Sequence, residues 1–460
     1  MNGPRTLGFG DLLLYGAALN FSIRWLATAA AAGPASLPIW LLAGIGFLAP
    51  LSIASAELAG RYPGEGGVYA WSRATLGPFW GFVCGWLYWA CNLPFFSGLI
   101  FFIVTVAATA LGPGAQAAIE NDGVVLAAAA LIALVPPGLH LLGLGAGKWL
   151  PAFGAAATLA LLAALLGVGG FLGWRDGPAT DFATASYLPP LDANGAILWG
   201  TMVFAFGGAE AVTLLHTETR GGMRTVMRAL VVCGALLVCG YIAGTLALLS
   251  IFQPGDATRL DGVPEAIRIG FEKAGLGAFA SPALLLLALA MLGAYAAWFG
   301  VAARLPLAVG VDKLLPPAFG RRDPRTGAPV AALLVQTGIV LVLVVLSRAG
   351  ETLSGAYDFL VAMGTLSYTA PFLFLFLAYI VARRTPAPAG VWTAPGGRLG
   401  AALVGYGGAF VSLTAIACSL VPSPDASDPV GATVKLVVAS VVMAGSGVAL
   451  YLLASRTARP

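Results

Sequence analysis

Two charged side chains, Arg24 and Glu210, stand deep inside apolar runs. The runs read LLLYGAALNFSIRWLATAAAAGP and LWGTMVFAFGGAEAVTLLHTETR. A charge at the middle of a membrane helix costs roughly 2.5–3.5 kcal/mol on insertion scales, so it turns toward a protein interior or a cavity. Arginine carries a planar fork that holds a carboxylate through two parallel hydrogen bonds. Arg24 is therefore a candidate receptor for a substrate carboxylate. It could instead pair with Glu210 or with helix carbonyls, or snorkel to the membrane surface. Burial and neighbouring charge set when a carboxyl ionises, so Glu210 is a candidate for proton coupling or gating. A structural hydrogen bond is the other reading of Glu210.

The remaining polar groups form no catalytic set. Asn20 and Ser22 share the middle of the first run with Arg24. Glu57 and Arg61 are four residues apart at a helix end, a spacing that suits a local brace or an inner gate. Glu65, Asp312 and Lys313 lie in nearby loop sequence, and Lys435 sits in the last apolar run. His140 and His216 have no partner with metal-ligand spacing, and the five cysteines, all in apolar runs, read as packing residues. No GxxxxGK[ST] segment or Ser/His pairing is present. Neither an enzyme, nor a metal site, nor a bound cofactor is expected, and no basic aromatic patch points to nucleic acid.

Composition sets the elements that must position these groups. Of 460 residues, 59% are hydrophobic and 10% are charged, against roughly 25% charged in soluble domains. About 20 apolar residues are needed to cross the hydrocarbon layer. Runs of that kind fall near 9–32, 37–58, 79–110, 122–143, 149–173, 194–215, 226–252, 277–303, 329–347, 356–381, 399–421 and 430–454. If both termini are cytoplasmic, 17 of the 24 lysines and arginines lie on the inner side and five on the outer. Retention of positive charge inside favours that orientation, in a multi-pass protein of the cell (inner) membrane.

The first and sixth runs are polar or glycine-interrupted at mid-depth, the sixth at Gly207-Gly208. They are five helices apart, so they run in opposite directions. Matching interruptions in two inverted repeats mark a substrate site near the membrane midplane. Small residues that allow close helix packing are the competing explanation.

Residues 56–89, AELAGRYPGEGGVYAWSRATLGPFWGFVCGWLYW, resemble the segment from helix 2 through a re-entrant turn into helix 3 of the amino acid–polyamine–organocation transporters. Residues 303–330, ARLPLAVGVDKLLPPAFGRRDPRTGAPV, are similar to that family's stretch between helices 8 and 9, and residues 204–220 to its helix 6. The resemblance covers nearly the whole chain and looks closest to bacterial amino acid antiporters. It implies an all-α integral membrane protein of twelve helices. These would form a five-plus-five inverted-repeat (LeuT-like) core over 8–173 and 194–382, followed by two helices over 399–455. It also implies that Phe204, Trp298, Cys91, Asn92 and Phe96 line the site, with Glu210 matching the family's helix 6 glutamate. The sequence departs from the family in helix 1, where Leu19-Asn20-Phe21 replaces a Gly-Ser-Gly cluster whose bare amides receive the substrate carboxylate. The proline usual after helix 6 and the helix 5 lysine of some relatives are also missing.

The expected function is secondary active transport of an amino acid by alternating access, driven by protons or an exchanged solute. The alternatives are a sodium symporter, a carrier of polyamines or other organic cations, and a sensor with the same fold. Sodium is the less supported ion, because LLLLALAMLGAYAAWFG in helix 8 offers no hydroxyl. The expected partners are the substrate, a coupled proton or solute, membrane lipid and, as a further possibility, a second copy of the chain.

Overall fold

Apolar runs of this length satisfy their backbone groups inside a helix, and the computed structural model shows that outcome throughout. It describes residues 7–63, 66–142, 149–217, 219–256, 260–311, 314–422 and 428–457. Glu65, Asp312 and Lys313 lie outside the described residues. Among the described residues there is no strand, only an isolated bridge between Leu7 and Thr219.

Among the described residues, eleven helices are long and apolar enough to cross a membrane. In chain order the elements begin with the short helices α1 (Phe9–Asn20) and α2 (Trp25–Ala31). They continue with α3 (Gly33–Arg61), a connecting α4 (Val68–Leu76), α5 (Pro78–Leu111), α6 (Asp122–Leu141) and α7 (Trp149–Arg175). Next come the half-helices α8 (Ala193–Ala205) and α9 (Ala209–Thr213), then α10 (Met223–Ile251) and the amphipathic α11 (Gly262–Lys273). The last five are α12 (Ala280–Val311), α13 (Val330–Arg348), α14 (Leu353–Ala382), α15 (Gly397–Ser419) and α16 (Pro429–Thr457). The first apolar run is absent from the eleven because it breaks between α1 and α2, leaving 12 and 7 helical residues. Neither piece alone reaches the roughly 20 residues that a span requires.

Burial separates the helices. The most apolar stretch of α5 is 89% buried, whereas that of α16 is 11% buried. The helix that carries the central wall thus has protein on all sides, and the last helix presents its valines outward. Cys84, Cys91 and Cys233 are buried, but Cys239 is exposed and Cys418 is intermediate. Cys239 sits on an outward face and Cys418 is half-buried, so three of the five cysteines pack fully in the interior.

Glycines set the closest helix approach. A Cβ on Gly154 of α7 would stand 2.7 Å from the Ala290 carbonyl of α12, and Gly293 of α12 faces the Leu150 carbonyl in return. Such reciprocal small residues let two backbones touch. Gly154→Val is expected to force the pair apart at a cost of about 1–3 kcal/mol. The check is the thermal midpoint of the purified variant, which should fall by several degrees; an unchanged midpoint would show that the contact carries no stability.

Candidate functional site

The two broken helices meet. At the α8–α9 junction the chain leaves helical geometry through Phe206 and Gly207, and Gly208 takes φ +116°. That region suits glycine because it has no Cβ. No comparable glycine sits at the α1–α2 junction. There the chain passes Phe21–Arg24 through tight turns, with Trp25 N–H donating to Ser22 O at 3.2 Å. The Tyr241 hydroxyl of α10 accepts from Ser22 N–H at 3.2 Å. It lies 3.0 Å from Asn20 O and 3.4 Å from Ala205 O as donor. One side chain thereby satisfies backbone groups that both breaks release. Trp40 stacks flat on its ring at 4.2 Å. Sequence reasoning missed Tyr241, although a lone tyrosine inside the apolar run of α10 was a visible signal that its hydroxyl needs a buried partner.

Between the breaks lies a cavity of about 60 Å³. On the α1 side its wall is Asn20, Phe21 and Ser22, followed by Trp25. The α8–α9 region adds Phe204 and Gly207, α12 adds Met291 and Trp298, and α14 adds Tyr368. Cys91, Asn92, Phe95 and Leu99 come from α5. α5 is irregular at Cys91, three residues before Pro94. A proline lacks the N–H that would bond the carbonyl four residues back and crowds that carbonyl. For Pro94 that carbonyl belongs to Ala90, next to the irregular turn at Cys91, and beside the turn Asn92 Nδ2 donates to Tyr88 O at 2.8 Å.

Three of the expected site residues are not on this wall. Phe96 is fully buried against Tyr295 and Phe299, with ring centroids 5.3 Å away in each case. It therefore packs behind the cavity. Gly208 turns its N–H to Glu210 Oε2 at 3.0 Å. Arg24 lies one ring behind the wall, its guanidinium 4.0 Å from the Trp25 ring centre and 4.7 Å from that of Phe95.

Arg24 is 1% exposed, and its Nε and Nη1 have no hydrogen-bond partner. Asn20 Oδ1 is likewise buried without a partner, while its Nδ2 donates to Gly16 O at 2.7 Å. That oxygen lies against Gly208, 2.6 Å from where a Cβ would stand. Buried polar atoms are nearly always paired. An orphan donor set and an orphan acceptor therefore flank the same break.

Glu210 is buried and makes no ion pair among the described residues. The Tyr88 hydroxyl donates to its Oε1 at 2.6 Å. It thus does not meet Arg24, and the pairing weighed from sequence does not form. Tyr88 and Tyr368 face each other with ring centroids 6.2 Å apart. Both tyrosines were missed from sequence, since an aromatic in an apolar run gives no sign of which way it faces.

Glu57 and Arg61 stand apart from the cavity. Glu57 is fully buried and accepts from Arg61 Nε at 2.9 Å, Arg383 Nη1 at 3.1 Å and Ala394 N–H at 2.8 Å. Arg61 also donates to the carbonyls of Ala382 and Thr385 at 3.0 and 3.1 Å. This carboxylate is saturated, and it ties the end of α3 to the end of α14 and the chain entering α15.

A bundle of long apolar helices, with two broken runs around a polar-and-aromatic cavity, is the build of a membrane transporter. The chain belongs to the amino acid permease family, whose model matches residues 9–445. It is 25% identical to an uncharacterized transporter of Legionella pneumophila over 87% of this chain and 86% of that one. An uncharacterized transporter of Mycobacterium tuberculosis is 27% identical over 79% of this chain and 76% of its own length. A probable agmatine/putrescine antiporter of Lactococcus lactis is 22% identical over 75% and 72%. Family and relatives are permeases, transporters and antiporters, so this chain is a multi-pass membrane transporter and not an enzyme.

Proposed function

We propose that the protein carries a small zwitterionic amino acid with an uncharged side chain across the cell membrane by alternating access. Coupling is to a proton or to an exchanged solute. The observation that carries this reading is the pair of orphan groups at the α1–α2 break. Asn20 Oδ1 is a free acceptor for the substrate ammonium, and the Arg24 guanidinium is a free donor for its carboxylate. Arg24 thus takes the part that bare helix 1 amides would play if Leu19-Asn20-Phe21 were glycine-rich. The carboxylate reaches it once the Trp25 or Phe95 ring swings aside.

The rest of the wall supports a small uncharged side chain. Phe95, Leu99, Phe204, Met291 and Trp298 are apolar or aromatic. A water needs about 10–15 Å³ on this measure, so the 60 Å³ cavity holds roughly four to six water volumes. The architecture that goes with this reading has the broken run α1–α2 as a twelfth span. Two inverted five-helix repeats cover 8–173 and 194–382, and two further helices cover 399–455. Both termini are cytoplasmic.

The Lactococcus relative raises a second reading, exchange of diamines. Arg24 opposes it, because a buried guanidinium repels a dication and leaves no carboxylate to satisfy its donors. The test is a thermal-shift screen with neutral amino acids, putrescine and agmatine, followed by counterflow in proteoliposomes. A neutral amino acid should raise the midpoint and drive counterflow, and the two amines should do neither. Amine exchange without amino acid exchange would overturn the substrate assignment. Saturable binding without flux would overturn the carrier reading.

A further inference from the structure

A second, roomier cavity lies away from the two breaks. It measures about 380 Å³ and opens between α13, α14 and α16. That is within the range of small-molecule pockets, about 300–1,000 Å³. Its walls are largely apolar, with Leu343 and Leu346 from α13, Phe359 and Met363 from α14, and Leu436 and Val438 from α16, and Asp358 of α14 adds a carboxylate. At one end stand Glu351 and Lys435, with Nζ 3.6 Å from Oε1. The lysine side chain is 56% exposed and the glutamate 12%. Beside them Arg348 is engaged by Asp122 Oδ1 at 3.0 Å and by the Glu351 carbonyl.

The occupant follows from three features. The cavity is recessed between helices, so a flexible chain fits it better than the flat face of another helix. α16 is the least buried span, with Val434 and Val438 both 55% exposed, so the cavity adjoins an outward apolar surface. Its polar end sets Lys435 beside Glu351 at a loose spacing, a cation and an anion that complement a zwitterion, and a second carboxylate on the wall, Asp358, gives no advantage to a net anion.

We infer that this cavity holds one acyl chain of a phospholipid of the ethanolamine class, its phosphate at Lys435 and its ammonium at Glu351. The site does not depend on which solute is carried. It does share a wall with the transport region. Asp358, Ala362 and Val421 line both this cavity and a smaller one beside Tyr357 and Thr28. The same helix, α14, supplies Tyr368 to the central cavity. An acyl chain seated here therefore braces the helix that forms part of the substrate wall.

The experiment is native mass spectrometry of the intact protein after mild detergent extraction, paired with thermal midpoints of delipidated protein given phosphatidylethanolamine or phosphatidylglycerol of matched chains. The ethanolamine lipid should remain bound and should raise the midpoint by about 2 °C or more, with less effect from the glycerol lipid. Ala439→Trp, which narrows the cavity, should displace about two methylenes and cut retention roughly tenfold. The exchanged pair Lys435→Glu with Glu351→Lys keeps the ion pair but reverses its polarity, and it should abolish the preference between the two lipids. Equal retention of both lipids by the wild type would overturn the assignment, as would full retention by a folded Ala439→Trp. A dimer that covers the cavity in place of lipid would also overturn it.

Discussion

Arg24→Ala should cut amino acid counterflow through a raised KM, by about 30-fold or more, while the thermal midpoint moves little. Removing one partner of a buried, hydrogen-bonded charge pair costs about 2–5 kcal/mol, and each 1.4 kcal/mol is tenfold. The stability half of the result follows from the free groups. Burying this cation costs roughly 2.5–3.5 kcal/mol. The stacks on Trp25 and Phe95 return about 0.5–2 kcal/mol each. Nε and Nη1 return nothing without substrate. Alanine removes the cost and the stacking together, and these largely offset. Arg24→Lys should recover only part of the affinity, because a point charge cannot hold a carboxylate at two points. A lowered midpoint with unchanged KM would make Arg24 a structural residue and refute its role with substrate.

Glu210→Gln should flatten the pH profile of net uptake and leave counterflow exchange intact. Glutamine has the shape of glutamate and can satisfy the same neighbours. Its oxygen can accept from Gly208 N–H, and its amide can donate to the Tyr88 hydroxyl, which is able to accept. The broken helix thus keeps its geometry, and only the capacity to gain and lose a proton disappears. With no cation paired to this carboxyl among the described residues, a proton is the available counter-charge. Wild-type uptake limited by one titrating group should change by up to about tenfold per pH unit, and the variant should vary by about twofold or less. A retained profile would show that coupling resides elsewhere or that transport is pure exchange.

The positions of the two charges were legible because their surroundings were not polar. Arg24 and Glu210 interrupt apolar runs, and the energetic cost of that placement is a local property. Gly207-Gly208 was legible for a related reason, since only glycine tolerates the backbone at Gly208. The α1–α2 break was marked more weakly, by Asn20, Ser22 and Arg24 making the run polar at mid-depth. No glycine fixes the turn there, and Tyr241, far along the sequence, takes up the groups the break releases.

The identity of Arg24's neighbours was open for the same reason. Pairing with Glu210 was plausible on charge alone. Tyr88 and Gly208 instead occupy both carboxylate oxygens, and the rings of Trp25 and Phe95 receive the guanidinium. Glu57 shows the same limit. Its spacing to Arg61 was visible, but Arg383 and Ala394 arrive from more than 300 residues away.

By itself, the sequence determined that this is a membrane protein, roughly where its helices run, and which charges must be buried. Those follow from transfer free energies that each segment carries wherever it sits. Only the tertiary structure decided that Arg24 and Asn20 are left with free polar atoms beside one cavity while Glu210 and Glu57 are satisfied. A hydrogen bond depends on distances of a few tenths of an ångström between segments that no local pattern relates.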